Sequence, residues 1–285
     1  MLRFFFTTQQ WIYGFVFSPE TYLKWTGTNT LTLIGCLLAI IVVAYFLGSV
    51  NSAIILTRIV YGEDIRQKGS GNAGMTNVMR SYGWLPALIT LIGDMLKCML
   101  SMFLGTILWG INGAYIAGLF CIIGHVAPAI YKFKGGKGVA ATFMFILYID
   151  IWAFVFIGIT FILLVWATRY LSLGSIITGM IMPLMLDRML MKYTELEVNN
   201  LRFLRLTVAL LIGALVVYKH RANIIRIRDK TESRFTFKRT VKRADLDESE
   251  SLATETADHS ETAELTEEDL KRKAENRKKS AKKKK

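Results

Sequence analysis

The chain has 285 residues, 53% of them hydrophobic and 20% charged, with mean hydropathy +0.38 and a formal net charge of +13. That balance suits a polytopic membrane protein and excludes an ordinary soluble domain, which is less apolar and more heavily charged. The three cysteines, Cys36, Cys98 and Cys121, lie in or beside apolar runs without metal-ligand spacing, and their odd number argues against a disulfide framework.

Residues 1–30 are aromatic but broken by Pro19, Glu20 and Lys24, which reads as an interfacial amphipathic extension rather than a signal peptide. Residues 31–47 form the first spanning candidate, and apolar character resumes over 54–60. The segment 48–52 therefore sits near one membrane face, where Ser49 and Arg58 need polar partners. Residues 84–109 are the second span, with Asp94 and Lys97 three apart on one helical face and able to pair. Residues 114–130 are the third, ending at His125 and Pro128. Residues 139–168 are apolar except for Asp150 and exceed one crossing, so two helices are expected there. A polar turn at 169–175 and further spans over 175–191 and 204–217 complete an all-α, polytopic membrane helical bundle of about seven transmembrane helices. Its boundaries are 31–228.

Two loops between these runs stand out. Residues 66–80 hold Gly69, Gly71 and Gly74 among Ser70, Asn72, Thr76, Asn77 and the cations Arg66, Lys68 and Arg80. Glycines let backbone amides approach an anion, and small polar and cationic side chains complete such a nest. One loop of this kind is equally well explained as a basic cytoplasmic connection. The second loop, with Gly135, Gly136, Lys137 and Gly138, repeats the pattern, and neither has nucleotide P-loop spacing. Two phosphate-type loops imply two phosphate-bearing ligands.

The positive-inside rule places these loops, Arg169 and the C-terminus in the cytoplasm and the N-terminus outside. Arg188, Lys192, Arg202 and Arg205 run against this assignment, partly offset by Asp187, Glu195 and Glu197. Beyond the last span, His220, Asn223 and Ile224 share a helical face, so His220 and Asn223 can point back at the loops. Residues 229–285 hold 16 Lys plus Arg against 14 Asp plus Glu with few aromatics, which predicts a disordered charged cytoplasmic tail.

Taken together, Gly48-Ser49 with Arg58, the segment 69–80, Gly124-His125 with Pro128, 133–139, 172–176 and His220-Arg221 with Asn223-Ile224 resemble the bacterial acyl-phosphate:glycerol-3-phosphate acyltransferase family in order and spacing. The resemblance covers 31–232. It implies an enzyme of the cytoplasmic membrane that moves a long acyl chain from acyl phosphate to the 1-hydroxyl of glycerol 3-phosphate, giving lysophosphatidic acid and phosphate in phospholipid biosynthesis. It further implies Lys137, His220 and Asn223 as catalytic residues, and substrate binding by Ser49, Arg58, Ser70, Asn72, Thr76, Asn77, Gly135, Gly136 and Glu232. The expected partners are the two substrates and membrane lipid, with no nucleic acid, and the protein is expected to act as a monomer without cofactor or metal. Four positions depart from the family pattern: Asn51 stands for a proline, Met75 for an alanine, Gly174 for a small residue and Lys230 for a glycine. Met75 is expected to push a long side chain into the first loop.

Acyl phosphate already carries a good leaving group, so the protein mainly has to position two anions and stabilise developing charge. A His with an acid five residues on is found only at His259-Glu264, in the tail, because Ile130 follows His125 and Ile225 follows His220 at that spacing. The resemblance implies that the substrate phosphate accepts the proton. The competing class is a transporter or scramblase of phosphorylated lipids, which would need a site reachable from both faces.

Overall fold

The computed structural model describes residues 30–193, 202–235 and 272, with backbone alone for 188–193. The N-terminal extension, residues 194–201 and the tail beyond 235, including His259, lie outside the described residues. Among the described residues the chain is all helical: α1 (Thr30–Ser49), α2 (Ser52–Tyr61), α3 (Met75–Tyr82), α4 (Trp84–Val126), α5 (Val139–Ile149), α6 (Ile151–Thr168), α7 (Leu171–Tyr193), α8 (Arg202–Lys219) and α9 (Arg221–Arg228).

The breaks fall where side chains can satisfy the freed backbone. Asn51 accepts a hydrogen bond from the Ile54 N–H at 3.0 Å and caps α2, and its amide also donates to the Ala73 carbonyl at 3.3 Å. A proline could make neither bond, so this departure from the family pattern ties the break to the first loop. Asp150 separates α5 from α6 as expected, and it does so as a cap, accepting from the Ala153 N–H at 2.7 Å. Within α4, Trp109 (φ −151°, ψ 35°) and Gly110 (φ 56°, ψ −149°) leave the helical region. Carbons added at Gly105 and Gly113 would each strike the other's backbone. A straight helix would hold residues eight apart at about 12 Å, so α4 folds back on itself, matching the second and third expected spans.

The second half of α4 is the hub, with Ala114, Tyr115, Cys121 and Ile122 fully buried against α1 and α5. Gly48 lies so close to the Cys121 carbonyl that a side chain there would enter α4 backbone, which brings α1 and its terminal Ser49 directly onto this half. By contrast, α6 turns Phe156, Ile159, Ile162, Leu163 and Trp166 outward. Such exposure suits a helix whose solvent is hydrocarbon.

Every segment expected to span is helical, but length separates them. By length and composition three helical stretches can cross a membrane, Thr30–Tyr61, Trp84–Tyr131 and Ile151–Thr168, or four if the bent pair Arg202–Lys219 and Arg221–Arg228 counts as one. The 11 residues of α5 rise only about 16 Å, roughly half the hydrocarbon thickness, so length and composition alone do not establish the expected seven crossings. The polar turn expected over 169–175 contracts to Arg169 and Tyr170, and Ser172 and Ser175 lie in the first turns of α7. Arg202, one of the cations that ran against the charge rule, makes two 2.9 Å bonds to Asp187. Met75 does not enter the glycine loop. It packs partly buried on a small cluster of Ala53, Ile54, Ile65 and Val78.

Candidate active site

The two glycine loops meet at one end of the bundle. A carbon added at Gly136 would stand 2.8 Å from the Ala73 carbonyl oxygen and would collide with the His125 imidazole, so only glycine allows the second loop to reach the first. Asn72 and Lys137 flank this seam on either side.

The first loop is held from inside by Asn77, which is 2% exposed. Its amide donates to the Ile65 and Lys68 carbonyls at 3.1 and 2.9 Å, and its oxygen accepts the Ser70 N–H at 2.9 Å. Asn77 therefore builds the loop from inside. The amides of Ser70, Gly71 and Gly74 are bonded internally, whereas those of Asn72, Ala73, Met75 and Thr76 make no backbone hydrogen bond among the described residues. These free donors lead into the N-terminus of α3, where the helix dipole favours an anion. The side chains of Asn72 and Thr76 are half-buried beside them.

In the second loop the Gly136 N–H donates to the His125 carbonyl at 3.1 Å, and Gly135 is wedged against the His125 carbonyl and Pro128. These two glycines shape the loop that presents Lys137 and the amides behind it. Amides 137–140 open α5 with no backbone partner among the described residues, and Lys137 leads them.

Lys137 joins this loop to the C-terminal segment. Its Nζ donates to Asn223 Oδ1 at 2.6 Å, and Asn223 Nδ2 donates to Glu232 Oε1 at 2.6 Å. Glu232 also accepts from Ser172 Oγ at 2.7 Å and from Arg226 Nε at 2.7 Å. With both oxygens engaged, Glu232 orients Asn223. His220, 2% exposed, has Nδ1 2.8 Å from the Val216 carbonyl. That ring nitrogen carries the proton, leaving Nε2 with a lone pair. Residues 229–235, assigned from sequence to the charged tail, close this end, with the Phe235 N–H donating to the Arg169 carbonyl at 2.7 Å.

Burial, with Arg226, Arg80 and Lys219 nearby, pulls the Lys137 ammonium down to about 8 against the opposing influence of Glu232. Burial alone would raise the Glu232 carboxyl, but hydrogen bonds from Asn223, Ser172 and Arg226 outweigh it and keep the group ionised.

Ser49 is fully buried on α1, donating to the Tyr45 carbonyl at 2.9 Å and lying against Gly124, next to His125. Ser70 is exposed at the loop surface. The Arg58 side chain is half exposed, bonded to Asp64 at 2.8 Å and placed over the Tyr131 ring, 5.8 Å from its centroid. Arg66 grips the same carboxylate and reaches the Tyr131 carbonyl of the second loop at 3.1 Å. The Arg66 side chain holds the Asp64 carboxyl well below the usual range against the effect of burial, aided by the Arg66 N–H and Arg58. Asp64 was missed from sequence, although an acid set between two arginines is its signal. Tyr45 was missed too, hidden in an apolar run; its hydroxyl donates to the Ala127 carbonyl at 2.9 Å and accepts the Ala129 N–H at 3.1 Å.

Residues 38–230 match the family model described as glycerol-3-phosphate acyltransferase. The glycerol-3-phosphate acyltransferase of Finegoldia magna is 36% identical over 193 residues, which cover 68% of this chain and 93% of that protein. That of Carboxydothermus hydrogenoformans is 38% identical over 191 residues, covering 67% and 92%. The fold also matches two crystal structures of PlsY, an integral membrane glycerol 3-phosphate acyltransferase. The glycerol 3-phosphate form gives a TM-score of 0.61 at 31% identity, covering 70% of this chain and 96% of that one. The lysophosphatidic acid form gives 0.60 at 28%, covering 70% and 95%.

Proposed function

The chain belongs to the glycerol-3-phosphate acyltransferase family and is an integral-membrane acyltransferase acting on glycerol 3-phosphate, and we propose that its donor is an acyl phosphate. The observation that carries this reading is the seam between Ala73 and Gly136, which sets two helix N-termini with free amides, α3 and α5, beside each other. Two anion sites suit two phosphorylated substrates.

In this reading the 1-hydroxyl of glycerol 3-phosphate attacks the acyl carbonyl carbon. The bond from that carbon to the donor's phosphate oxygen breaks, the hydroxyl proton passes to a phosphate oxygen, and lysophosphatidic acid and inorganic phosphate leave. Lys137 and the amides at the start of α5 stabilise the charge that develops on the leaving phosphate and the carbonyl oxygen. Asn223, fixed between Lys137 and Glu232, and His220, with Nε2 open, orient the attacking hydroxyl. Ser49, Arg58, Ser70, Asn72 and Thr76 contribute to binding. The proposed acting unit is a monomer. The clustering of Arg58, Arg66, Lys68, Lys132, Lys134 and Lys137 at the site end supports a cytoplasmic-facing site in the cell membrane, with the N-terminus outside.

Purified protein given palmitoyl phosphate and glycerol 3-phosphate is expected to release phosphate and form lysophosphatidic acid one for one, with neither product made when either substrate is omitted. Movement of lysophosphatidic acid across vesicles without phosphate release would instead establish the transporter reading.

A further inference from the structure

A charged cluster inside the bundle, behind the anion loops, takes no direct part in this chemistry. Lys97 Nζ lies 2.9 Å from Asp94 Oδ1 and donates to the Val50 carbonyl at 2.6 Å and to His125 Nδ1 at 2.9 Å. All three side chains are buried, at 2% for Asp94, 8% for Lys97 and 3% for His125. An ammonium donating to Nδ1 requires a lone pair there, so His125 is neutral with its proton on Nε2. That Nε2 edge is pressed against Gly136 at the seam with Ala73. Val50 in turn sits between Ser49 and Asn51, and Asn51 donates to the same Ala73 carbonyl.

Lys97 thus touches both sides of the site from behind: the α1–α2 break directly, and the second loop through His125. An ion pair kept for stability alone is a weak explanation, because buried pairs often contribute less than apolar residues of the same size. We propose that Lys97 is a positioning residue whose ammonium holds the break carrying Ser49 and the loop carrying Lys137 in one fixed register. The proposal rests on the acyl-transfer reading of the site.

Wild type, Asp94→Asn/Lys97→Met, His125→Gln and His125→Leu are compared by thermal unfolding in detergent and by kcat/KM for phosphate release with each substrate varied. The double variant removes both charges and leaves neither unpaired, so it is expected to unfold within about 5 °C of wild type. Its kcat/KM is nevertheless expected to fall about ten- to hundredfold, because the reacting groups are no longer in register. A double variant as active as wild type overturns the proposal. Should that variant fail to fold, the His125 pair decides: Gln keeps an acceptor for Lys97 and a donor at the seam, and Leu keeps neither. Gln is expected to exceed Leu by about tenfold at equal folded protein, and equal activity of the two overturns the proposal. A wild type that releases no phosphate overturns the acyl-transfer reading and this proposal with it, whereas an active wild type with an equally active double variant overturns the proposal alone.

Discussion

Titrating the free enzyme through the pH range of Lys137 separates its role from those of the surrounding cations. Its pKa falls from the ordinary 10.5 to about 8, which corresponds to roughly 3 kcal/mol acting against the charged form in the empty site. The sign is set by what the site needs. In its proposed role Lys137 stabilises anions when protonated, so activity should be full below about 8 and be lost as pH rises through it. With that pKa, the protonated fraction drops about tenfold between pH 7 and pH 9. Since kcat/KM reports groups of the free enzyme, it should fall by the same factor over that interval, read as phosphate release at limiting glycerol 3-phosphate. A bound phosphate dianion favours the ammonium, so the corresponding limb of kcat should lie at higher pH. Replacing Glu232 by Gln removes the carboxylate that keeps Lys137 protonated and should move the kcat/KM limb to lower pH. Lys137→Met should abolish the limb and cost about a hundredfold or more in kcat. A flat kcat/KM profile from pH 7 to 9.5 in the wild type, or an unchanged limb in Lys137→Met, would refute the assignment.

Lys230 sits at φ 57°, where a side chain costs about 1 kcal/mol relative to glycine; Lys230→Gly should raise the midpoint of thermal unfolding by ~2–4 °C, and a lower midpoint would show that the strain is compensated. Asn77→Ala leaves two loop carbonyls and the Ser70 amide without their partner, at a cost of about 2 kcal/mol, and should raise the KM for glycerol 3-phosphate; kinetics at varied glycerol 3-phosphate check this. Asp150→Ala removes the cap of α6 and should lower thermal stability by about 1 kcal/mol while leaving kcat/KM unchanged, since Asp150 lies at the α5–α6 break, away from the loops.

Hydrophobic runs and punctuation made most of the architecture readable in advance. Asp150 marked a helix boundary because an acid is costly at mid-membrane and suits a cap, and Asp94 and Lys97 paired as their spacing required. The length of α5 was not readable, since an 11-residue apolar helix packed inside a bundle has the composition of a crossing. At the site, the residue types pointed to phosphate chemistry, but the assignment of roles needed geometry. Asn77, Gly136 and Glu232 look like ligand contacts in sequence because they sit among ligand-type residues, yet each bonds within the protein and shapes the positions that remain open. The link from Lys97 to Val50 and those of Tyr45 were hidden for the opposite reason, because their partners are backbone carbonyls and an amide that carry no sequence signal.

The claim that two loops form one site for two anions is tested most directly at their seam. Gly136→Ala inserts a carbon between the loops, against the His125 ring and the Ala73 carbonyl. Steady-state phosphate release with each substrate varied in turn should show kcat/KM reduced about tenfold or more for acyl phosphate and glycerol 3-phosphate alike. A variant with near-wild-type kcat/KM for both substrates would mean that the loops work separately, contradicting a shared site.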